Sequence, residues 1–170
     1  MDTSNLGRGA MIAGISGLLL FIFMFFSWYG APEEIDDALQ QAQQAAEALG
    51  VNAPAVEDAD TTVNAWEAFD FTDLICLLAV LVSVGFAAMA LTGASASLPV
   101  AGSAVTCGMG ALAFLFVLYR TIDPPGSGDV DREIGLFLGL LATAGITAGG
   151  YLGMQEEGTS FAEQGERLKG

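Results

Sequence analysis

Long uncharged apolar runs alternate along this chain with polar segments that hold nearly all its charge, and that alternation predicts a membrane architecture. The first run, Ala10–Tyr29, follows Arg8 and ends in Trp28 and Tyr29. About 20 residues of α-helix cover roughly 30 Å, the hydrocarbon thickness of a bilayer. A spanning helix over about 9–29 is therefore expected. The run exceeds the ~7–15 residues of a secretory signal core and no A-x-A-type site follows, so it is read as an uncleaved span. Ala10, Ala13, Gly14 and Gly17 give its first half a small-residue surface for helix contact, and Leu18 to Phe26 are bulky.

From Leu74 to Tyr119 no charged residue occurs, a stretch too long for a single crossing. Thr92, Gly93, Ser95 and Ser97 break it, and Pro99 suits the first turn of a new helix. Two antiparallel spans over about 71–92 and 98–120 follow. Asp123-Pro124-Pro125-Gly126 makes a non-helical connection, and a fourth uncharged run predicts a span over about 134–154. Along that run Gly135, Gly139, Ala142, Gly149 and Gly153 recur at spacings of three and four, interrupted only at Ile146. Such a stripe lets another helix approach closely. Residues 155–170 are a polar tail.

The segment 30–70 is polar. Within it Ile35, Ala38, Leu39, Ala42, Ala45, Ala46 and Leu49 mark an amphipathic helix over about 33–49, started by Pro32 and stopped by Gly50. Asn64 followed by Glu67 resembles a capping box. The fold class expected is all-α: a four-span bundle with an amphipathic helix in its first outer loop. Trp28, Tyr29, Trp66 and Phe69 are placed in the aromatic belt at the water interface. Four crossings put both termini on one side. Arg8, Arg167 and Lys169 face that side, against Arg120 and Arg132 on the other, which favours cytoplasmic termini in a cell (plasma) membrane protein.

Composition adds to this picture mainly by exclusion. The chain carries 20 acidic residues against 5 basic and no histidine, for a net charge of −15. Nucleic acid is excluded as a partner because no basic patch exists to neutralise phosphate. The partners expected are the lipid bilayer and other membrane proteins or further copies of the chain. Without histidine, the usual base for a nucleophile and the usual metal ligand are both missing. No catalytic, cofactor or metal site is expected, and acid-rich loops with little lysine also fit a high-salt setting.

The candidate polar cluster lies at the outer ends of the spans: Asp70, Asp73, Arg120, Asp123, Arg132 and Glu133. An ionisable group there reaches water, whereas one at mid-span would not. Its plain reading is an Asp73–Arg120 ion pair fixing helix register; its sharper reading is an acidic vestibule that attracts cations. Asp129-x-Asp131-x-Glu133 offers alternating oxygens but lacks the rest of a calcium loop, and is read as a solvated acidic turn. Cys76 and Cys107 should differ in depth by about 12 Å, too far for a disulfide.

Three short signatures stand out together: Phe26-Ser27-Trp28-Tyr29-Gly30, Trp66-Glu67-Ala68-Phe69, and Tyr119-Arg120-Thr121-Ile122-Asp123-Pro124-Pro125-Gly126. With the four-span layout, the chain resembles a group of uncharacterised small membrane proteins of high-GC Gram-positive bacteria. That resemblance implies no particular activity. The layout is also similar to that of claudins and tetraspanins, except that the first loop has no cysteine, so their stapled loop is not implied. The function expected is non-enzymatic, a structural or accessory subunit whose outer loop and glycine-striped fourth span meet partners. The alternative is an oligomeric channel or transporter component.

Overall fold

The first apolar run does not become one long helix. In the computed structural model, α1 covers Arg8–Phe23 and is followed by a short strand, β1, at Ser27–Gly30. The helix expected over 9–29 is thus corrected: residues 24–29 are turn and strand. The structure describes residues 7–31, 62–68, 71–93, 101–125 and 130–167, with Ala38, Gln41, Ala42, Gln44, Ala45, Glu47 and Ala48 between them. Those isolated positions have helical backbone and are exposed.

The end of α1 has a tertiary cause. Neither glycine nor proline stops the helix; Phe25 and Phe26 donate to the carbonyls of Ile22 and Phe23 in a tightened last turn. The Trp28 indole N–H also donates to Phe23 O at 2.8 Å. The last carbonyl of the helix thus accepts twice, once from the turn and once from a side chain five residues beyond it.

After β1 come β2 (Thr62–Asn64), α2 (Ala65–Ala68), α3 (Thr72–Thr92), α4 (Gly102–Ile122), β3 (Asp131–Arg132), α5 (Ile134–Glu156) and α6 (Phe161–Arg167). The capping box is complete: Asn64 Oδ1 accepts from the N–H groups of Trp66 and Glu67, and Asn64 N donates to Glu67 Oε2 at 3.1 Å. It opens only the single turn of α2; α3 starts separately at Thr72. Helix α3 ends at Gly93, whose φ of 66° is the left-handed conformation that lets its N–H return to Met89 O.

The protein is mostly helical, and α3, α4 and α5 are long and apolar enough to cross a membrane. Helix α5 packs along α1 on one side and α4 on the other, while α3 lies between α1 and α4; contacts across the resulting ring are slight. The strands form one antiparallel sheet in the order β2-β1-β3, lying across one end of the helices. The first and last long helices meet at the opposite end, called here the tail end.

Small residues set the closest approaches. A methyl placed on Gly149 would stand 2.4 Å from Ala13 N and 2.8 Å from Gly9 O, so α1 and α5 touch backbone to backbone. Gly17 lies under the Ser83 hydroxyl on α3, and Gly150 lies against the Cys107 backbone on α4. Between apolar helices in lipid, such van der Waals contact takes the place of the hydrophobic effect. The bulky residues of α1, among them Ile15, Leu18 and Ile22, face outward.

Candidate functional site at the sheet end

Every residue of the predicted glycine stripe is buried. Gly149 meets α1, whereas Gly135 and Gly139 form a slot for the Trp28 ring: a methyl on Gly139 would fall 2.6 Å from its Cζ2. The stripe is therefore filled from within the chain and does not offer a face to another protein. Ala142 is buried beside it, and Ile146, the apparent interruption, is fully buried in the core.

Trp28 and Tyr29 were expected in an interfacial belt, and the structure puts them in the core, at 0% and 2% exposure. The register explains how two consecutive strand residues both turn inward. Ser27 lies opposite Asn64 and Tyr29 opposite Val63, so the ladder slips by one residue at Trp28. Such a bulge suspends the alternation of faces and re-aims a side chain. Trp66 is half-buried, with its ring 5.9 Å from that of Phe25. Its indole N–H is the one buried side-chain donor without a partner among the described residues. Phe69 and Asp70 lie outside the described residues.

The charged members of the outer cluster do not converge on one point. Asp73 accepts from the Leu74 N–H at 2.7 Å in the first turn of its own helix. The Arg120 guanidinium lies 5.9 Å from the centre of the Tyr119 ring. No ion pair joins Asp73 and Arg120, so the expected register pin is not formed. Asp123 accepts from the Tyr119 hydroxyl one turn back on α4. Glu133 precedes α5, its N–H donating to Trp28 O at 2.9 Å and its carboxylate lying against Gly30.

These residues instead build a latch. The Tyr29 hydroxyl donates to Arg120 O at 2.9 Å, and Arg132 Nε donates to Thr121 O at 2.9 Å. Two carbonyls at the C-terminal end of α4, which the helix cannot satisfy itself, are taken by β1 and β3. Sequence spacing gave no sign of this, because the partners lie 91 positions apart in the first case.

A second latch closes the tail end. Glu156 accepts from the N–H groups of Arg8 at 3.0 Å and Gly9 at 3.3 Å, and Glu157 accepts from the Ser103 hydroxyl. Each carboxylate ends α5 and sits at the N-terminal end of a neighbour, α1 or α4, where negative charge is favoured. On the buried faces of α3, α4 and α5, Ser83, Thr106 and Thr143 return their hydroxyls to carbonyls one turn back.

Among the described residues no group of three or more His, Cys, Asp or Glu side chains gathers to hold a metal ion. Cys76 and Cys107 are free and buried. An open groove of about 500 Å³ runs between α4 and α5, with apolar walls that include Cys107, Phe114, Leu115, Ala144, Ala148 and Tyr151. Those walls suit a lipid chain or a neighbouring helix rather than a polar substrate. No family model matches the chain, and no match was found among curated proteins or solved structures.

Proposed function

We propose that the chain crosses the bilayer four times, with both termini cytoplasmic in the plasma membrane. In this reading it serves as a non-enzymatic structural or accessory subunit of a membrane assembly. The observation that carries the reading is the filled interior. The α1–α5 seam closes backbone to backbone at Gly9, Ala13 and Gly149, and the sheet end of the same seam holds the Trp28 ring. Leu20, Val80, Val117 and Ile146, one from each long helix, are buried together in one core cluster, so the interior of one copy is occupied by the chain itself and what remains for partners is its outside. The loop positions Ala38, Ala42 and Ala45 are helical and exposed, which supports an interaction surface in the acidic loop in place of the glycine stripe.

The alternative reading, a cation-attracting vestibule, loses support because Asp73, Asp123 and Glu133 are each engaged at separate points. Purification of the full-length protein from its native membrane in mild detergent tests the proposal. The expected result is an oligomer or a complex with other membrane proteins; a strictly monomeric species would count against it. In vesicles, the purified protein should pass no cation above the protein-free background. A flux abolished by Asp73→Asn would establish the channel reading instead.

A further inference from the structure

We infer that on the sheet side the hydrocarbon boundary of the bilayer lies at the level of the three-stranded sheet, so that β1 is a membrane-embedded strand. The inference rests on the four-crossing reading and adds where the first crossing ends. At 1.5 Å per residue, the 16 residues of α1 cover about 24 Å, short of the roughly 30 Å hydrocarbon core. Helices α3 and α4, at 21 residues each, cover about 31 Å and meet the thickness. The shortfall of α1 falls to the segment that follows it, the Met24–Phe26 turn and β1.

The surface at this level agrees. Phe25 after α1, Val63 on β2, Phe71 before α3, Ile122 ending α4 and Ile134 starting α5 are all exposed, Ile122 by 73%. Each belongs to a different element, so together they form a collar around the whole end. A protein partner docks on one side; an apolar ring that continues the outward faces of the spanning helices fits lipid on every side.

Non-helical backbone is tolerated at membrane depth only where the protein itself satisfies and covers it. Trp28, Tyr29 and Gly30 are buried. Trp28 O accepts from Glu133 N at 2.9 Å, and Met24 O accepts from Ala65 N at 3.2 Å. The bulge, the indole bond to Phe23 O and the two flanking strands together make β1 fit for such an environment. The charges at this level lie on the exposed edge strand, Asp131 and Arg132, and at the helix ends, Asp73, Arg120, Asp123 and Glu133, positions from which side chains can reach headgroups and water.

The test is spin labelling in a Cys76→Ala/Cys107→Ala background, with single cysteines at Val63→Cys, Ile122→Cys and Ile134→Cys in phosphatidylcholine vesicles. Leu81→Cys at mid-α3 is the lipid reference and Glu166→Cys in the tail the water reference. Labels on the collar should be relaxed more by oxygen than by a water-soluble nickel chelate, as at Leu81. Chelate-dominated relaxation on the collar, with Leu81 still oxygen-dominated, would overturn the inference and leave the crossing intact. Chelate access at Leu81 itself would overturn the crossing. The unsubstituted protein gives an independent check in lipids brominated along the acyl chain. Its two tryptophans should be quenched most by bromine in the upper chain; strongest quenching only by an aqueous quencher would overturn the inference.

Discussion

At its tail end, α5 presents Gly149 to the backbone of α1; at its sheet end, it presents Gly139 to an indole, with Gly135 between that ring and Ser27 O. The spacing of small residues is the same in both halves, yet the contact at Gly149 is between two main chains and the one at Gly139 is between a main chain and a side chain. A small-residue stripe thus specifies how closely something approaches, and leaves open what approaches. In the tail half the partner is fixed, because neither helix backbone can retreat without opening the seam. In the sheet half the partner is a ring with rotamers, held in place by its own hydrogen bond to Phe23 O.

That difference predicts a ranking. Gly149→Ala should cost the most, at or above the upper end of the ~1–3 kcal/mol typical of overpacking, because the added methyl meets Ala13 N at 2.4 Å. An unchanged unfolding midpoint in a detergent titration would show the seam to be looser than described. Gly139→Ala should cost less, within about 1–3 kcal/mol. Combined with Trp28→Phe it should be milder than the two single effects added, since the shorter ring vacates the place of the methyl; strict additivity would break the assignment of the slot.

The two latches allow a finer comparison. Glu156→Ala should cost about 1 kcal/mol through the lost cap on α1 and speed amide exchange at Arg8 and Gly9 while leaving Trp28–Gly30 unchanged. Tyr29→Phe should have the reverse pattern. Exchange rising at both ends for either variant would mean that the ends are not independent. Smallest of all, Gly85→Ala on α3, where an added methyl meets nothing within 4 Å, should be neutral or stabilising by up to about 1 kcal/mol.

The later helices were legible in the sequence because charge and turn residues bound them: Gly93 ends α3, the Pro124-Pro125 turn follows α4, and Glu133 precedes α5. The sheet was not. Met24 to Gly30 is apolar and aromatic, and hydropathy has the same value for a residue in a helix as in a strand. Strand β2 has three residues and β3 two, too few for any period to register. Trp28 and Tyr29 misled for a related reason. An aromatic ring with a polar tip suits a membrane interface, and it equally suits a core where Phe23 O and Arg120 O accept its hydrogen bonds. Those acceptors are main-chain atoms, invisible in the residue types.

The tail-end latch joins Arg8 to Glu156, 148 positions later. As the chain emerges from the ribosome, α1 is the first helix made and α5 is the last of the four. The seam that buries Gly9 and Ala13 cannot close until α5 has been synthesised. Through that interval α1 lacks its α5 partner, and a product interrupted before α5 leaves Gly9 and Ala13 uncovered. Synthesis of α5 is thus the event that closes the ring.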